Sequence, residues 1–378
     1  MKVLIVSKAS TVAVHRGKLR ELARLGVDIT VIVPPRWGNQ PLEVTGEEGY
    51  KLRVLPCWFT PYNHFHFYPA RVGPIDADVV YLEEEPWSLV THQFMRLCVK
   101  AQKPTIFMSF QNIYKNYPPP FDFFERYTFT HAAAAVPGTP EVLQILRAKG
   151  FEKPAAIIAF GLNPQVFLKR DVTPLRQKLG IDGSFVVGFM GRVVPEKGVS
   201  DLIRAFALLP SRSTLLMVGS GKFQNQAQKI AQEHGVMGRI RWVPSVPSLE
   251  VADYMNSLDV LVLPSRTTPR WKEQFGRVLI EAMACEKPSV GSSSGEIPNV
   301  IADAGLVFPE GDVNALAERL RCLYDSPDLC CRLGSRGRAR VLQNFTDRKI
   351  AEKHLQFYQE VLAAHDSAHR NRVGHMQV

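Results

Sequence analysis

The chain has few cysteines and no long apolar segment. Its six cysteines include no C-x-x-C pair and no spacing typical of a metal site, so we predict reduced thiols rather than a disulfide framework. No apolar run approaches the ~18 residues that cross a bilayer. The first apolar run, residues 3–6, is too short for a signal peptide, and we interpret it as a buried strand. We therefore expect a cytoplasmic protein.

A metal site is not expected either. Asp76-Ala77-Asp78 has the D-x-D spacing that some enzymes use to bind a metal ion. The motif directly precedes a predicted strand, where acids are most simply solvated. We therefore predict no metal ligands and no metal cofactor.

Length and composition predict two domains that each bury a core. The chain has 378 residues, of which 46% are hydrophobic. Strand patterns alternate with helix patterns, which indicates parallel sheets covered on both faces. Strands are predicted near residues 2–7, 28–33, 51–55, 78–82, 104–109, 155–159, 185–190, 213–218, 239–243, 259–263, 288–291 and 306–308.

The predicted domain boundary lies around residues 163–182, where prolines and glycines interrupt both periodicities. We assign residues 1–168 to the first domain and residues 169–346 to the second. A helix is predicted over 347–364, and residues 365–378 are predicted to be a disordered tail.

Two carboxylates separated by seven residues accompany one predicted helix. Residues 259–264 are interpreted as a buried strand and 265–272 as the loop that leaves its carboxyl end. A helix start near Gln274 puts Glu273 beside unpaired amides and Glu281 about two turns further on. One acid with a row of amides can hold sugar hydroxyls, and the other can hold a ribose. The alternative is a pair of ordinary acids on an amphipathic helix.

A second motif, G-R-x4-K-G, follows the predicted strand at 185–190. It puts Arg192, Lys197 and a helix N-terminus at the carboxyl end of a strand. Open α/β sheets bind ligands at this edge, and a diphosphate is stabilised there by cations and helix amides. The alternative is a plain strand-turn-helix with solvated basic residues.

A third motif, S-G-E-I-P at residues 294–298, joins another strand to a helix that begins with proline. With these three motifs in this order and spacing, the chain resembles family 4 glycosyltransferases, the retaining enzymes of the GT-B fold. The resemblance implies an α/β protein with two Rossmann-like domains whose parallel sheets face each other across a cleft. It also implies that the C-terminal helix crosses back to the N-terminal domain.

The resemblance implies a role for particular residues. Arg192 and Lys197 would bind the diphosphate, Glu281 the ribose, and Glu273 with the amides that follow it the donor sugar. Because the leaving diphosphate gains negative charge in the transition state, the two cations would stabilise it there more than in the ground state. The implied catalytic residues are Glu273, Arg192 and Lys197. The implied donor-binding residues are Gly191, Arg192, Lys197, Glu273, Gln274, Phe275, Gly276, Glu281, Ser293, Ser294 and Gly295.

The first domain departs from the family pattern at two places. Many members have a glycine-rich loop after the first strand, whereas here residues 8–14 contain no glycine and only Gly17 is nearby. Where members often have a histidine, this chain has Gln111 and Asn112, which can bind a hydroxyl but are poor bases. We treat Gly17, Gln111 and Asn112 as candidate acceptor-site residues.

The implied function is the transfer of a hexose-type sugar from a UDP- or GDP-sugar to a hydroxyl acceptor, with retention and without a metal. The acceptor would be a glycan, a lipid-linked molecule or a small molecule, in cell-envelope polysaccharide or glycolipid synthesis. Alternatives are a sugar phosphorylase, a nucleotide-sugar epimerase, or a homologue that binds nucleotide sugars without catalysis. Because the basic residues are scattered, nucleic-acid binding is not expected.

Two proline-interrupted aromatic stretches, residues 58–68 and 114–124, lie in the predicted acceptor domain. Such loops can stack on sugars, hold a lipid, rest on a membrane surface, or only fill space between sheet and helices. The net charge of +10 would favour an anionic membrane or a phosphorylated acceptor, and it would equally serve a diphosphate. A protein bound peripherally to the inner face of the membrane is compatible with both features.

Overall fold

The computed structural model describes residues 1–44, 46, 48–70, 72–248 and 250–375. They form two compact units: residues 1–161 together with the chain from Asp347 onward, and Leu162–Thr346. The second unit thus begins before the predicted boundary at 168/169. Backbone pairing explains the difference, since the Leu162 amide donates to the Phe345 carbonyl at 3.0 Å. Arg338 also donates to the carbonyls of Pro164 and Phe167.

The first unit contains a parallel sheet and a two-stranded antiparallel hairpin. Its strands are β1 (Lys2–Val6), β2 (Asp28–Val33), β3 (Arg36–Trp37), β4 (Gln40–Pro41), β5 (Lys51–Val54), β6 (Val79–Leu82), β7 (Thr105–Ser109) and β8 (Ala134–Pro137). Its first helices are α1 (Gly17–Arg24), α2 (Leu89–Lys100), α3 (Phe121–His131) and α4 (Pro140–Ala148). The sheet has the order β5-β2-β1-β6-β7-β8. From β1 the chain adds strands towards one side of the sheet, and from β6 it adds them towards the other side. This is the Rossmann arrangement.

Alternate residues of β1 enter the cores on opposite faces of this sheet. Val3 and Ile5 belong to a buried cluster with Leu19 of α1. Leu4 and Val6 belong to another with Phe94 of α2. Strands that are buried on both faces lack polar alternation, which is why this run is continuously apolar.

The predicted strand at 155–159 differs in the structure. The sixth strand is β8, which the alanine-rich sequence before Pro137 did not reveal, because alanine has little strand preference. Residues 154–158 run beside β8, with the Ala156 amide donating to the Ala135 carbonyl and the Ile158 amide to the Pro137 carbonyl. They form only an isolated bridge, Ala135 to Ala155.

The second unit repeats the same architecture. Its strands are β9 (Phe185–Met190), β10 (Ser213–Val218), β11 (Ile240–Val243), β12 (Val260–Leu263), β13 (Ser289–Ser292) and β14 (Gly305–Phe308). Its helices are α5 (Thr173–Leu179), α6 (Val199–Ala207), α7 (Gln224–Glu233), α8 (Val251–Asn256), α9 (Arg277–Ala284), α10 (Ile297–Ile301), α11 (Val313–Asp325) and α12 (Pro327–Asn344). The parallel sheet has the order β11-β10-β9-β12-β13-β14. The order reverses between β9 and β12, where Rossmann folds bind their ligands.

The last helix, α13 (Asp347–His375), belongs to the first unit. Its Phe357, Tyr358 and Val361 enter the same buried cluster as Val3 and Ile5. The helix runs past the predicted end at 364, into the residues predicted to be a disordered tail. Residues 365–373 contain no glycine or proline to stop it; residues 376–378 of the predicted tail lie outside the described residues. Among the described residues, no helix combines the length and apolar composition that spanning a membrane requires.

Candidate functional site

Three loops of the second unit leave the carboxyl edge of its sheet. They follow β9 (residues 191–198), β12 (264–276) and β13 (293–296). Since all of these strands are parallel, the loops lie at one edge, and the first two flank the point where the strand order reverses. The three sequence motifs are therefore brought together.

Two glycines allow the backbones of these loops to meet. Gly198 has a φ of +66°, and a side chain there would overlap the Pro264 carbonyl. Gly295 has a φ of +55°, and a side chain there would overlap the Glu273 carbonyl. Glycine is suited to both positions because it tolerates positive φ and leaves room for backbone contact. The consequence is that Lys197 and Glu273 lie next to each other.

Glu273 contacts Lys197 and Ser265. Its Oε2 lies 2.6 Å from Lys197 Nζ and accepts a hydrogen bond from Ser265 Oγ, also at 2.6 Å. Both charged side chains are largely buried, and the Lys197 ammonium sits 5.1 Å from the centre of the Trp271 ring. Sequence reasoning missed Ser265 and Trp271; the position of Ser265 just after Pro264, at the end of a buried strand, is the signal that pointed to this edge.

The helix after Glu273 begins later than predicted. Gly276 has a left-handed φ of +79° and is the N-cap, so α9 starts at Arg277 rather than near Gln274. Glu273 therefore lies in the loop that precedes the helix. Of the residues between them, Gln274 is exposed, whereas Phe275 is buried with its ring 5.8 Å from that of Phe345.

Glu281 has different surroundings from Glu273. It lies on α9 and forms an ion pair with Arg277, Nε to Oε1, at 3.2 Å. Burial raises the pKa of Glu281, and the positive charge of Arg277 partly offsets that rise. Arg277 was not singled out from the sequence, although its i,i+4 spacing to Glu281 is readable there.

Arg192 contrasts with Lys197. It follows Gly191 in the loop after β9 and is exposed. Its guanidinium makes no hydrogen bond or ion pair with any residue that the structure describes. A cation without a protein partner at this edge is available to an anionic ligand.

Ser293 and Ser294 take part in hydrogen bonds within the protein. Ser293 Oγ accepts from the Glu310 amide at 3.1 Å. Ser294 Oγ lies 3.0 Å from Thr267 Oγ1, and the Thr267 amide donates to Glu310 at 2.8 Å. These contacts tie the loops after β12, β13 and β14 together.

The three candidate residues of the first unit lie after β1 and β7. Gly17 starts α1, where a side chain would overlap the Asp347 carboxylate of α13. Gln111 donates to the Ile113 carbonyl at 2.7 Å and accepts from the Tyr117 hydroxyl at 3.2 Å. Asn112 is buried. Gly17 thus allows close helix packing, and the Gln111 side chain stabilises its own loop.

A buried acidic cluster follows β6 at the same edge of the first sheet. Glu83 pairs with Lys18, and Glu84 pairs with Lys8 from the loop after β1. Glu85 accepts from Ser109 Oγ and from the Phe110 amide, each at 2.8 Å. Burial raises the pKa of Glu84, but the charges of Lys8 and His66 outweigh it and lower the pKa to about 2.

The same region relates the chain to known proteins. Residues 171–340 match the family described as glycosyl transferases group 1. One relative is the N-acetyl-alpha-D-glucosaminyl L-malate synthase of Bacillus anthracis, 31% identical over 207 residues, which are 53% of this chain and 52% of the relative. Another is a GDP-mannose-dependent monoacylated alpha-(1-6)-phosphatidylinositol monomannoside mannosyltransferase of Corynebacterium glutamicum, 32% identical over 45% of this chain and 46% of its own. The chain thus spans about half the length of the curated relatives it matches.

Solved structures resemble almost the whole chain. A sucrose-phosphate synthase of Thermosynechococcus elongatus has a TM-score of 0.76 at 21% identity, covering 96% of this chain and 100% of its own. Anabaena Alr3699/HepE in complex with UDP and glucose has a TM-score of 0.74 at 18% identity, covering 95% and 100%. At such identity the likeness shows the fold, and it confirms the predicted fold class. Residues 171–340 are thus similar to the group 1 glycosyl transferases, and the chain has the GT-B fold.

Proposed function

We propose that the protein is a retaining glycosyltransferase that transfers a hexose-type sugar from a UDP- or GDP-sugar to a hydroxyl acceptor. The observation that carries the proposal is the Lys197–Glu273–Ser265 cluster at the switch point of the second sheet. Arg192, in the same loop as Lys197, is exposed and has no side-chain partner among the described residues. The relatives support the proposal, since they include a synthase and a mannosyltransferase named as GDP-mannose-dependent. So do neighbours solved with UDP.

The charges suit the departure of a nucleoside diphosphate. As the sugar–phosphate bond breaks, negative charge accumulates on the diphosphate, so cations there stabilise the transition state more than the ground state. Arg192 is exposed and has no side-chain partner in the described part of the chain, and Lys197 in the same loop is already fixed by Glu273. We assign both to the diphosphate, and no metal ion is required in this proposal.

Glu273 and Glu281 would bind hydroxyls. The Ser265 hydroxyl and the Lys197 ammonium both contact Oε2 of Glu273, which keeps the carboxylate in one orientation. A fixed carboxylate can accept hydrogen bonds from the donor sugar, and Glu281, held by Arg277, can accept them from the ribose. Retention by attack on the same face, with the diphosphate oxygen taking the acceptor proton, would need no protein nucleophile.

The acceptor is proposed to be lipid-linked, because the first unit exposes a connected aromatic surface. Trp58, Phe59, Tyr62, Phe65 and Phe123 are each at least half exposed. The two aromatic stretches meet where the rings of Phe65 and Phe121 lie 5.0 Å apart. Exposed aromatic clusters of this kind are typical of surfaces that contact membranes.

An adjoining groove of about 580 Å³ supports this choice. Its apolar lining includes Phe67 and Leu89, and exposed Arg96 and Lys100 border it. Trp58 and Phe67 are in ring contact at 5.7 Å, so the aromatic surface and the groove are continuous. Apolar side chains flanked by cations fit an anionic bilayer, and we propose that the protein works bound peripherally to the inner face of such a membrane in cell-envelope or glycolipid synthesis.

The donor assignment is tested by calorimetric titration of the protein with UDP, GDP and ADP and with the matching monophosphates. We expect one diphosphate to bind at least tenfold more tightly than its monophosphate. The corresponding nucleotide sugar is then incubated with a lipid extract, and the anomeric configuration of the product is read by NMR. An inverted product, or tight binding without any transfer, would contradict the proposal; the latter would indicate a nucleotide-sugar-binding homologue.

The membrane assignment is tested by sedimentation with vesicles of phosphatidylglycerol and of phosphatidylcholine. Binding should be stronger to the anionic vesicles and should weaken in the double variant Trp58→Ala/Phe59→Ala. Val44→Ala, which shortens a highly exposed residue of the same unit outside the aromatic surface, serves as the control. Equal binding of the double variant and the wild type would contradict this part of the proposal.

A further inference from the structure

A second cavity lies at the opposite edge of the second sheet. It has a volume of about 480 Å³. Its base is formed by residues at the amino ends of three strands: Phe185 begins β9, Asp259 precedes β12, and Lys287 precedes β13. Because the strands are parallel, this edge faces away from the loops that carry Lys197 and Glu273. The cavity is therefore separate from the candidate donor site.

One part of the cavity is apolar and aromatic. The rings of Phe185 and Tyr324 meet edge to face with centroids 5.4 Å apart. Leu323 and Pro288 also line the cavity. Such a lining would bind the apolar body of a small molecule.

The charged groups of the cavity are unevenly paired. Asp259 accepts from the Val186 amide at 2.7 Å and faces Arg176 at 3.5 Å. Glu286 pairs with Lys169 at 3.1 Å. The ammonium of Lys287 makes no hydrogen bond or ion pair with any residue in the described part of the chain. One cation of the cavity is therefore left for an anion from outside.

The environment of Lys287 makes this cation costly to keep alone. Burial lowers its pKa, and the nearby charges of Arg176 and Lys169 lower it further, while Asp259 acts in the opposite direction. A bound anion would relieve part of this cost, because a partly buried charge is stabilised by a partner of opposite sign.

We propose that this cavity binds a small organic oxyanion, a carboxylate or a phosphate ester on an aromatic or aliphatic body, with the acid group on Lys287 Nζ and the apolar body against Phe185 and Tyr324. The proposal does not depend on the glycosyl transfer proposed above. It assigns the second unit a ligand site at the amino edge of its sheet in addition to the one at the carboxyl edge.

Alkylation of a cysteine in the cavity provides a local test. Cys331 lines the cavity and is exposed, whereas Cys322 is exposed but does not line it. The full-length protein is treated with iodoacetamide alone and with phenylacetate, phenyl phosphate or the uncharged phenylacetamide, and modified peptides are quantified by mass spectrometry. Both acids should slow modification of Cys331 several-fold, with Cys322 unchanged and phenylacetamide without effect. The acid that protects Cys331 more strongly identifies the preferred oxyanion.

Variants identify the cation. Lys287→Gln should abolish the protection, and Lys287→Arg, which keeps the positive charge, should retain it. Lys178→Gln, which changes an exposed lysine of α5 outside the cavity, should behave as the wild type. Thermal unfolding of each variant verifies that it is folded. The proposal is overturned if neither acid protects Cys331 at millimolar concentration, if phenylacetamide protects equally, or if Lys287→Gln is protected like the wild type.

Discussion

The carboxyl edges of the two sheets are both rich in charge, but their charges are balanced differently. At the edge of the first unit, three consecutive acids, Glu83–Glu85, each find partners within the protein. At the edge of the second unit, Lys197 pairs with Glu273 while Arg192 stays exposed and unpartnered among the described residues. Two sheets with the same strand order thus differ in whether a cation is left for a ligand.

The difference teaches where an anion can bind. A bound diphosphate is stabilised most where a cation is fixed or available and no carboxylate fully neutralises that cation. The first edge offers no such cation in its buried pairs. Lys8 is instead used to hold Glu84, and it anchors a loop that contains no glycine to bring a phosphate close. That edge is better suited to a neutral hydroxyl, which agrees with the proposed acceptor role of the first unit.

Among the variants, Glu84→Gln should have the largest effect, because it breaks an ion pair of the buried acidic cluster in the first unit. Removing one charge of a buried pair leaves Lys8 without its partner, and we expect a loss of about 3 kcal/mol in the free energy of unfolding. Urea denaturation measures it. Glu352→Gln, which removes a partly exposed acid paired with Arg348 and Lys349 on α13, should cost less than about 1 kcal/mol. A loss as small as that of the control would mean that the first edge is not held by its ion pairs.

The same cluster predicts a pH dependence. The pKa of Glu84 is about 2 in the folded protein, below its ordinary value of 4.5. A lowered folded-state pKa stabilises the protein above the unfolded-state value, and this stability is lost as the pH falls through the folded-state value. The stability gap between the wild type and Glu84→Gln should therefore narrow between about pH 4.5 and 2. A gap that stays constant over this window would contradict the assignment.

Glu273→Ala addresses the other edge. We expect sugar transfer to fall by about a hundredfold or more, because the hydroxyl contacts of the donor sugar are lost. Binding of the nucleoside diphosphate should survive, since Arg192 and Lys197 remain. Turnover and calorimetric affinity are measured separately, with Glu233→Ala on the exposed end of α7 as the control. Unchanged turnover would remove Glu273 from the site.

Much of the fold was predictable because parallel strands and covering helices have strong patterns. Continuous apolar runs marked β1, β9 and β12, and the uninterrupted sequence after 364 explains why α13 runs beyond its predicted end. The strand β8 escaped prediction because its alanines carry no strand signal. Element type followed local composition, whereas the exact strand at the sheet edge depended on pairing between distant segments.

The candidate site was predictable in part for the same reason. The loops after β9, β12 and β13 were expected to meet because carboxyl ends of parallel strands share an edge. The partners were not predictable: Ser265 reaches Glu273 and Lys8 reaches Glu84 only through the folded loops. The helix α9 starts later than predicted because Gly276 adopts a left-handed conformation, which sequence patterns alone do not reveal.

Arg192→Ala should have an intermediate effect on the second edge. Removing the unpartnered cation should weaken binding of the diphosphate about tenfold, with a smaller effect on the monophosphate, because a charge-assisted contact contributes roughly 1.5–3 kcal/mol. Calorimetry measures both ligands. Arg204→Ala, on the exposed face of α6, should leave both affinities unchanged. If the two variants bind alike, Arg192 does not contact the phosphates.

Ser294→Ala should have the smallest effect and sharpens the contrast within the second edge itself. The Ser294 hydroxyl lies 3.0 Å from Thr267 Oγ1, so it is already used to join two loops rather than left for a ligand. We expect the affinity for the nucleoside diphosphate to change by less than about threefold, while the unfolding free energy falls by about 1 kcal/mol. Thr267→Val removes the other hydroxyl of the same pair and should reproduce the stability loss. A tenfold loss of affinity in Ser294→Ala but not in Thr267→Val would instead assign Ser294 directly to the phosphates.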